Sequence, residues 1–178
     1  MSGPPPVALW VSVVLLVMAL LLQVTLLPGM TPAGVRPDLL LAVLLCIGVL
    51  NGIGVETAIL GLSAGFAADF LAGYLIGLNA FLLLGSVLVA DRVLQSFTRS
   101  NVVILFGVVV TLNFFSELIR AVAVRLSGME LGPVHVVALI SATSALYTGL
   151  AAALLYYFMG KYLSIQEPVW GWERGARR

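Results

Sequence analysis

Several apolar runs in this chain reach roughly 18 to 20 residues, the length that crosses about 30 Å of hydrocarbon as a helix, and prolines, glycines and charges separate the runs. The pattern predicts about six helices. The first runs from about Val7 to Leu27 and stops at "PGMTPAGVRPD", where repeated proline and glycine cannot continue a helix. The second starts near Asp38, an N-cap just after Pro37, and fades at "NGIG". The third spans about Val55 to Leu71, the fourth Ile76 to Val93, the fifth Val102 to Val124 and the sixth Val134 to Met159. Helices two to four are short and divided by tight glycine turns, which makes them a compact unit. The expected fold class is all-α: one polytopic transmembrane domain over residues 1–162, followed by a short interfacial tail, 163–178.

Composition agrees with the pattern. Of 178 residues, 61% are hydrophobic and only 10% charged, and the mean hydropathy is +1.13, far from the roughly quarter-charged makeup of soluble domains. The formal net charge is +1 and the Lys and Arg residues are scattered, so no basic stripe follows a phosphate backbone and nucleic acid is not an expected partner. Cys46 is the single cysteine, inside "LLLAVLLCIGVL"; it reads as a small buried apolar residue. The N-terminal apolar run lacks a preceding Lys or Arg and is too long for a signal-peptide core, so it reads as a retained span.

Charge bias gives orientation. Arg92, Arg99, Lys161, Arg174, Arg177 and Arg178 fall on one side of the expected spans, and Arg36, Arg120 and Arg125 on the other. The first group marks the cytoplasmic side, which with six helices places both termini there. Tyr162, Trp170 and Trp172 among the tail's basic residues form an interfacial anchor or, on a sharper reading, a docking peptide.

Polar groups inside the apolar blocks carry the rest of the information. In "GLSAGFAADFLAGYLIGLNA" the residues Gly61, Gly65 and Asp69 recur every four positions and share one helix face. Such a face suits close helix approach, either inside the bundle or as a groove for another protein's membrane helix. A carboxylate at mid-membrane costs about 2.5 to 3.5 kcal/mol, so Asp69 is expected near a helix end rather than buried against a donor such as Arg36. Gly73 and Gly77 then supply a reversal, with Asn79 able to cap the next helix. In "TLNFFSELIRAVAVR" Asn113, Glu117 and Arg120 lie on one stripe, and Glu117 and Arg120 can pair within the helix. That stripe faces the interior or a polar crevice, as a structural ion pair or as a contact for a ligand or partner. Gln23 needs a partner on a neighbouring helix. Arg36, Pro37 and Asp38 read as a helix-start device.

Catalytic constellations do not assemble. His135 is the single histidine, and there is no GxxxxGK[ST], no GxSxG and no HExxH. The reading is of a non-enzyme, without cofactor or metal.

The order of "LLQVTLLPGM", "GVRPDLLLAVLLCIGVLNG" and "AILGLSAGFAADFLAGYLIGLNAFLLLGSVLVA" resembles the MreD family of rod shape-determining membrane proteins, over roughly Leu20 to Ala90. Its signature positions fall on Arg36, Pro37, Asp38, Gly61, Gly65, Asp69, Gly77, Leu78 and Asn79. The resemblance implies a non-enzymatic component of the bacterial cell-elongation machinery in the inner membrane. Such a component binds MreC, meets MreB, RodA and its penicillin-binding transpeptidase partner, and is surrounded by lipid. The family is also similar in architecture to the six-helix substrate-binding subunits of energy-coupling-factor vitamin transporters. That is the alternative, with Asn113, Glu117 and Arg120 as pocket groups.

Overall fold

The computed structural model describes residues 6–25, 35–51, 54–72, 76–96, 102–128 and 133–162, which form six helices and no strand. They are α1 (Pro6–Thr25), α2 (Leu39–Asn51), α3 (Val55–Ala72), α4 (Leu78–Ser96), α5 (Val102–Leu126) and α6 (Val134–Tyr162). The expected elements are all present, with two informative shifts. α4 begins two residues later than the apolar pattern suggested, because Gly77 adopts φ +96°, outside the helical region. α6 runs three residues further than expected. Residues 1–5, the tail 163–178 with Trp170 and Trp172, Arg99, Gly73 and most of the α1–α2 connection lie outside the described residues.

α2 is the axis of the bundle and packs against all five other helices. Every residue from Leu40 to Val49 is buried, as expected of a helix that is apolar all round. α5 pairs with α6 and α3 with α4, while α1 lies on α2 and α3. The core cluster gathers Leu41, Leu44 and Leu45 of α2 with Val87, Leu105 and Val109 of the neighbouring helices. Cys46 is buried among them, its Sγ 3.3 Å from the Ala152 carbonyl oxygen.

Around the hydrophobic core the exterior is itself apolar, and several polar side chains are buried within. Asp38, Asp69, Asn113, Ser144 and Thr148 are buried, whereas Trp10, Phe70, Phe81, Leu126 and Leu139 are exposed. An exterior of this kind needs an apolar surrounding. By length and composition α5 and the Val134–Met159 part of α6 suffice to cross a membrane, and shorter apolar helices cover Trp10–Thr25 and Leu39–Leu50.

α2 is short for its position. Thirteen residues make about 20 Å of helix, less than the roughly 30 Å of a hydrocarbon core. Its start is recessed: the Asp38 N–H donates to Thr148 Oγ1 at 2.9 Å, and Thr148 lies about 21 Å along α6 from Val134. Non-helical backbone at that depth is tolerated only where protein groups satisfy it, and these groups define the site below.

Candidate functional site

Arg120 of α5 is the centre of a polar layer that joins three helices, α2, α4 and α5. Its Nη2 donates to Asp38 Oδ2 at 2.7 Å, its Nη1 to Glu117 Oε1 at 2.7 Å and its Nε to Asn79 Oδ1 at 2.9 Å. Asp38 stands at the start of α2 and Asn79 in the first turn of α4. The Asp38 side chain is 3% exposed and that of Arg120 23%, so the pair is largely removed from solvent. At that burial a charge persists only when paired and hydrogen-bonded.

The recessed start of α2 is fully engaged. Asp38 Oδ1 accepts from the Leu41 N–H at 3.1 Å, the N-cap bond that its position predicts. Gln23 Oε1 of α1 accepts from the Leu40 N–H at 3.2 Å. From α6, the Ser144 hydroxyl donates to the Arg36 carbonyl oxygen and Thr148 Oγ1 accepts the Asp38 N–H. α1, α5 and α6 thus supply side chains to the same helix start, which matches the requirement that buried backbone groups be paired.

Asp69 serves the start of α4. Its side chain accepts from the Gly77 N–H (2.9 Å), the Asn79 N–H (3.1 Å) and the Ala80 N–H (3.2 Å). The orphaned donors of α4's first turn therefore converge on a carboxylate carried near the end of α3, and the positive N-terminal end of the α4 dipole favours that negative charge. The residue lies near the end of its helix, as the desolvation argument anticipated, but it is 2% exposed rather than surface-exposed, because three backbone donors compensate its burial. Two details correct the sequence reading. The partners of Asp69 are backbone N–H groups and not Arg36, and the α4 cap is Asp69, whereas Asn79 turns its amide oxygen to Arg120.

The Gly61 and Gly65 face is occupied by the chain itself. A Cβ on Gly65 would lie 2.6 Å from the Ala80 backbone nitrogen and closer still to its Cα. One on Gly61 would meet Leu44 Cδ2 at 2.9 Å. The small residues bring α3 onto α4 and α2, so no other helix can enter this face without displacing α4. A comparable close approach occurs at Gly149 of α6, against Phe106 and Val110 of α5; no pattern in the sequence singled it out.

Asn113 lies 0% exposed, with Nδ2 3.4 Å from Ser144 Oγ and Oδ1 without a partner. The Asn113, Glu117, Arg120 stripe is thus an interior feature. Beside it a crevice of about 180 Å³ is lined by Gln23, Arg36, Asp38, Glu117, Arg120, Ile140 and Ser144. Ser144 and Thr148 were not foreseen, although Ser141, Ser144 and Thr148 recur at i, i+3 and i+7 and share one buried face of α6. Among the described residues no three His, Cys, Asp or Glu side chains converge to hold a metal.

The starts of α2 and α4 fall on the R-P-D and G-L-N segments, and the wider chain agrees with them: residues 7–165 match the family described as rod shape-determining protein MreD. The chain belongs to the MreD family. Membership makes it a membrane protein of the cell-shape system, and the match extends well past Ala90, through α5 and α6. No curated protein and no solved structure matches. The transporter-subunit alternative draws no support from these comparisons.

Proposed function

We propose that this chain is a non-enzymatic scaffold of the cell-elongation complex, whose direct partner is the bitopic protein MreC, with RodA, its penicillin-binding transpeptidase and MreB as further members of the assembly. The observation that carries the reading is the family match over residues 7–165. In this reading the chain is one transmembrane domain of six crossings over residues 1–162, in the bacterial inner membrane. The tail 163–178 and the N-terminus lie on the cytoplasmic side.

The polar residues support a role in shape rather than in chemistry. Asp38, Asp69 and Arg120 all bond to other parts of the chain. Gly61, Gly65, Asp69, Asn113, Glu117 and Arg120 act in partner binding by fixing the helices that form the docking surface, not by touching MreC.

Co-purification from membranes tests this. Wild-type chain retains MreC in a stable complex through detergent extraction. Gly65→Leu and Asp69→Ala lose MreC in step with a lowered unfolding temperature. A wild-type chain that retains no MreC contradicts the scaffold reading. A Gly65 or Asp69 variant of normal stability that still loses MreC would show direct contact instead.

A further inference from the structure

The crevice between α1, α2, α5 and α6 has a balance of charge and unused hydrogen-bonding capacity that the ties between helices do not explain. Its lining contains two guanidiniums, Arg36 and Arg120, and two carboxylates, Asp38 and Glu117. Asp38 is committed through both oxygens and Arg120 through all three nitrogens. Three functions remain among the described residues. The Arg36 guanidinium has no ion pair or hydrogen bond there, Glu117 uses only Oε1 and Gln23 only Oε1. Glu117 Oε2 therefore offers an acceptor, and Arg36 with the Gln23 amide nitrogen offers donors.

Arg36 is exposed and the Glu117 side chain is 27% exposed, so these spare groups are reachable at the mouth of the crevice. Arg120 lies about 9 Å along α5 from Leu126, and Ser144 about 15 Å along α6 from Val134, so the crevice sits below the helix ends on the side of the α5–α6 turn. Charged groups at such depth take partners. About 180 Å³ holds a group of several heavy atoms rather than one water. A purely anionic group would satisfy Arg36 and face Glu117 unfavourably, and a purely cationic one would do the reverse.

We propose that this crevice binds a zwitterionic phosphoester carrying a primary ammonium, the headgroup of phosphatidylethanolamine in the surrounding leaflet. The phosphate takes the Arg36 guanidinium and the Gln23 amide, and the ammonium donates to Glu117 Oε2. Because a primary ammonium has N–H donors and a trimethylammonium has none, phosphatidylcholine fits less well. Phosphatidylglycerol brings the anion without the cation. The inference does not depend on the scaffold reading, since it concerns the chain alone.

Native mass spectrometry of the purified full chain tests it, from micelles doped with equal amounts of the three lipids and without MreC. One phosphatidylethanolamine is retained per chain, roughly tenfold over either competitor. Arg36→Gln lowers that retention roughly tenfold with an unchanged unfolding temperature, because the fold uses the Arg36 carbonyl and not its side chain. Glu117→Gln removes the preference for the primary ammonium. Soluble glycerophosphoethanolamine separates the sources: a lipid that stays bound in its excess is the ligand, and displacement assigns the site to a soluble phosphoester of the same chemistry. Equal retention of the three lipids, no retained lipid, or retention unaffected by Arg36→Gln overturns the proposal.

Discussion

Replacing Arg120 by alanine lowers the stability of the folded chain by about 3–5 kcal/mol, the loss typical when one partner of a buried ion pair is removed. Three consequences act together. Asp38, 3% exposed, is left with a buried charge and no counter-ion. Asn79 loses the donor that ties α4 to α5, and Glu117 loses its neighbour one turn away. Because α2 packs against every other helix, an uncompensated charge at its start loosens the whole bundle rather than one edge. Lysine recovers only part of the loss, since one ammonium cannot reproduce three donors directed at Asp38, Glu117 and Asn79. Thermal unfolding in a fixed detergent, with wild type and both variants side by side, checks the order.

Gly65→Ala produces the second largest effect, a loss of about 3 kcal/mol, near the top of the usual range for an overpacked core. The atoms in the way are the backbone N and Cα of Ala80 and the Asn79 carbonyl carbon. None can swing aside as a flexible side chain would. α3 and α4 must separate, and separation also lengthens the three bonds from Asp69 to the start of α4. Gly107→Ala is the matched control: nothing lies within 4 Å of its added Cβ, so the same substitution leaves stability unchanged or raises it by up to about 1 kcal/mol. Equal losses at Gly65 and Gly107 would contradict the α3–α4 approach as the cause, since helix propensity alone favours alanine at both positions.

Much of this architecture is written in local pattern. Apolar block length gave the six helices. Asp38 after Pro37 announced an N-cap, and the spacing of Glu117 and Arg120 announced their pairing, because each of these contacts spans a single turn. The four-residue recurrence of Gly61, Gly65 and Asp69 correctly indicated a face that must meet another helix. It could not say which helix, since periodicity specifies a face and leaves its partner open. That partner is α4, next in the chain. The contacts that organise the site are the ones sequence order hides: Arg120 to Asp38 spans 82 residues and Asp38 to Thr148 spans 110. Nor does composition show that α2 starts at depth, which is what makes Gln23, Ser144 and Thr148 necessary.

The side-chain partners at the starts of α2 and α4 give the motif segments a common physical purpose. A helix that begins inside a membrane exposes several N–H donors to surroundings that offer no water. Here α2 is supplied by Asp38, Gln23 and Thr148, α4 by Asp69, and Arg120 links the two starts through Asp38 and Asn79.

The central claim, that charges inside this bundle serve to join helices, is tested most directly by a double-mutant cycle on Asp38→Asn and Arg120→Gln, read by unfolding free energy in one detergent. The account predicts that the double variant is less destabilised than the sum of the singles by roughly 2 kcal/mol, within the range of residues in direct contact. Losses that add to within about 0.5 kcal/mol, as for independent sites, would contradict it.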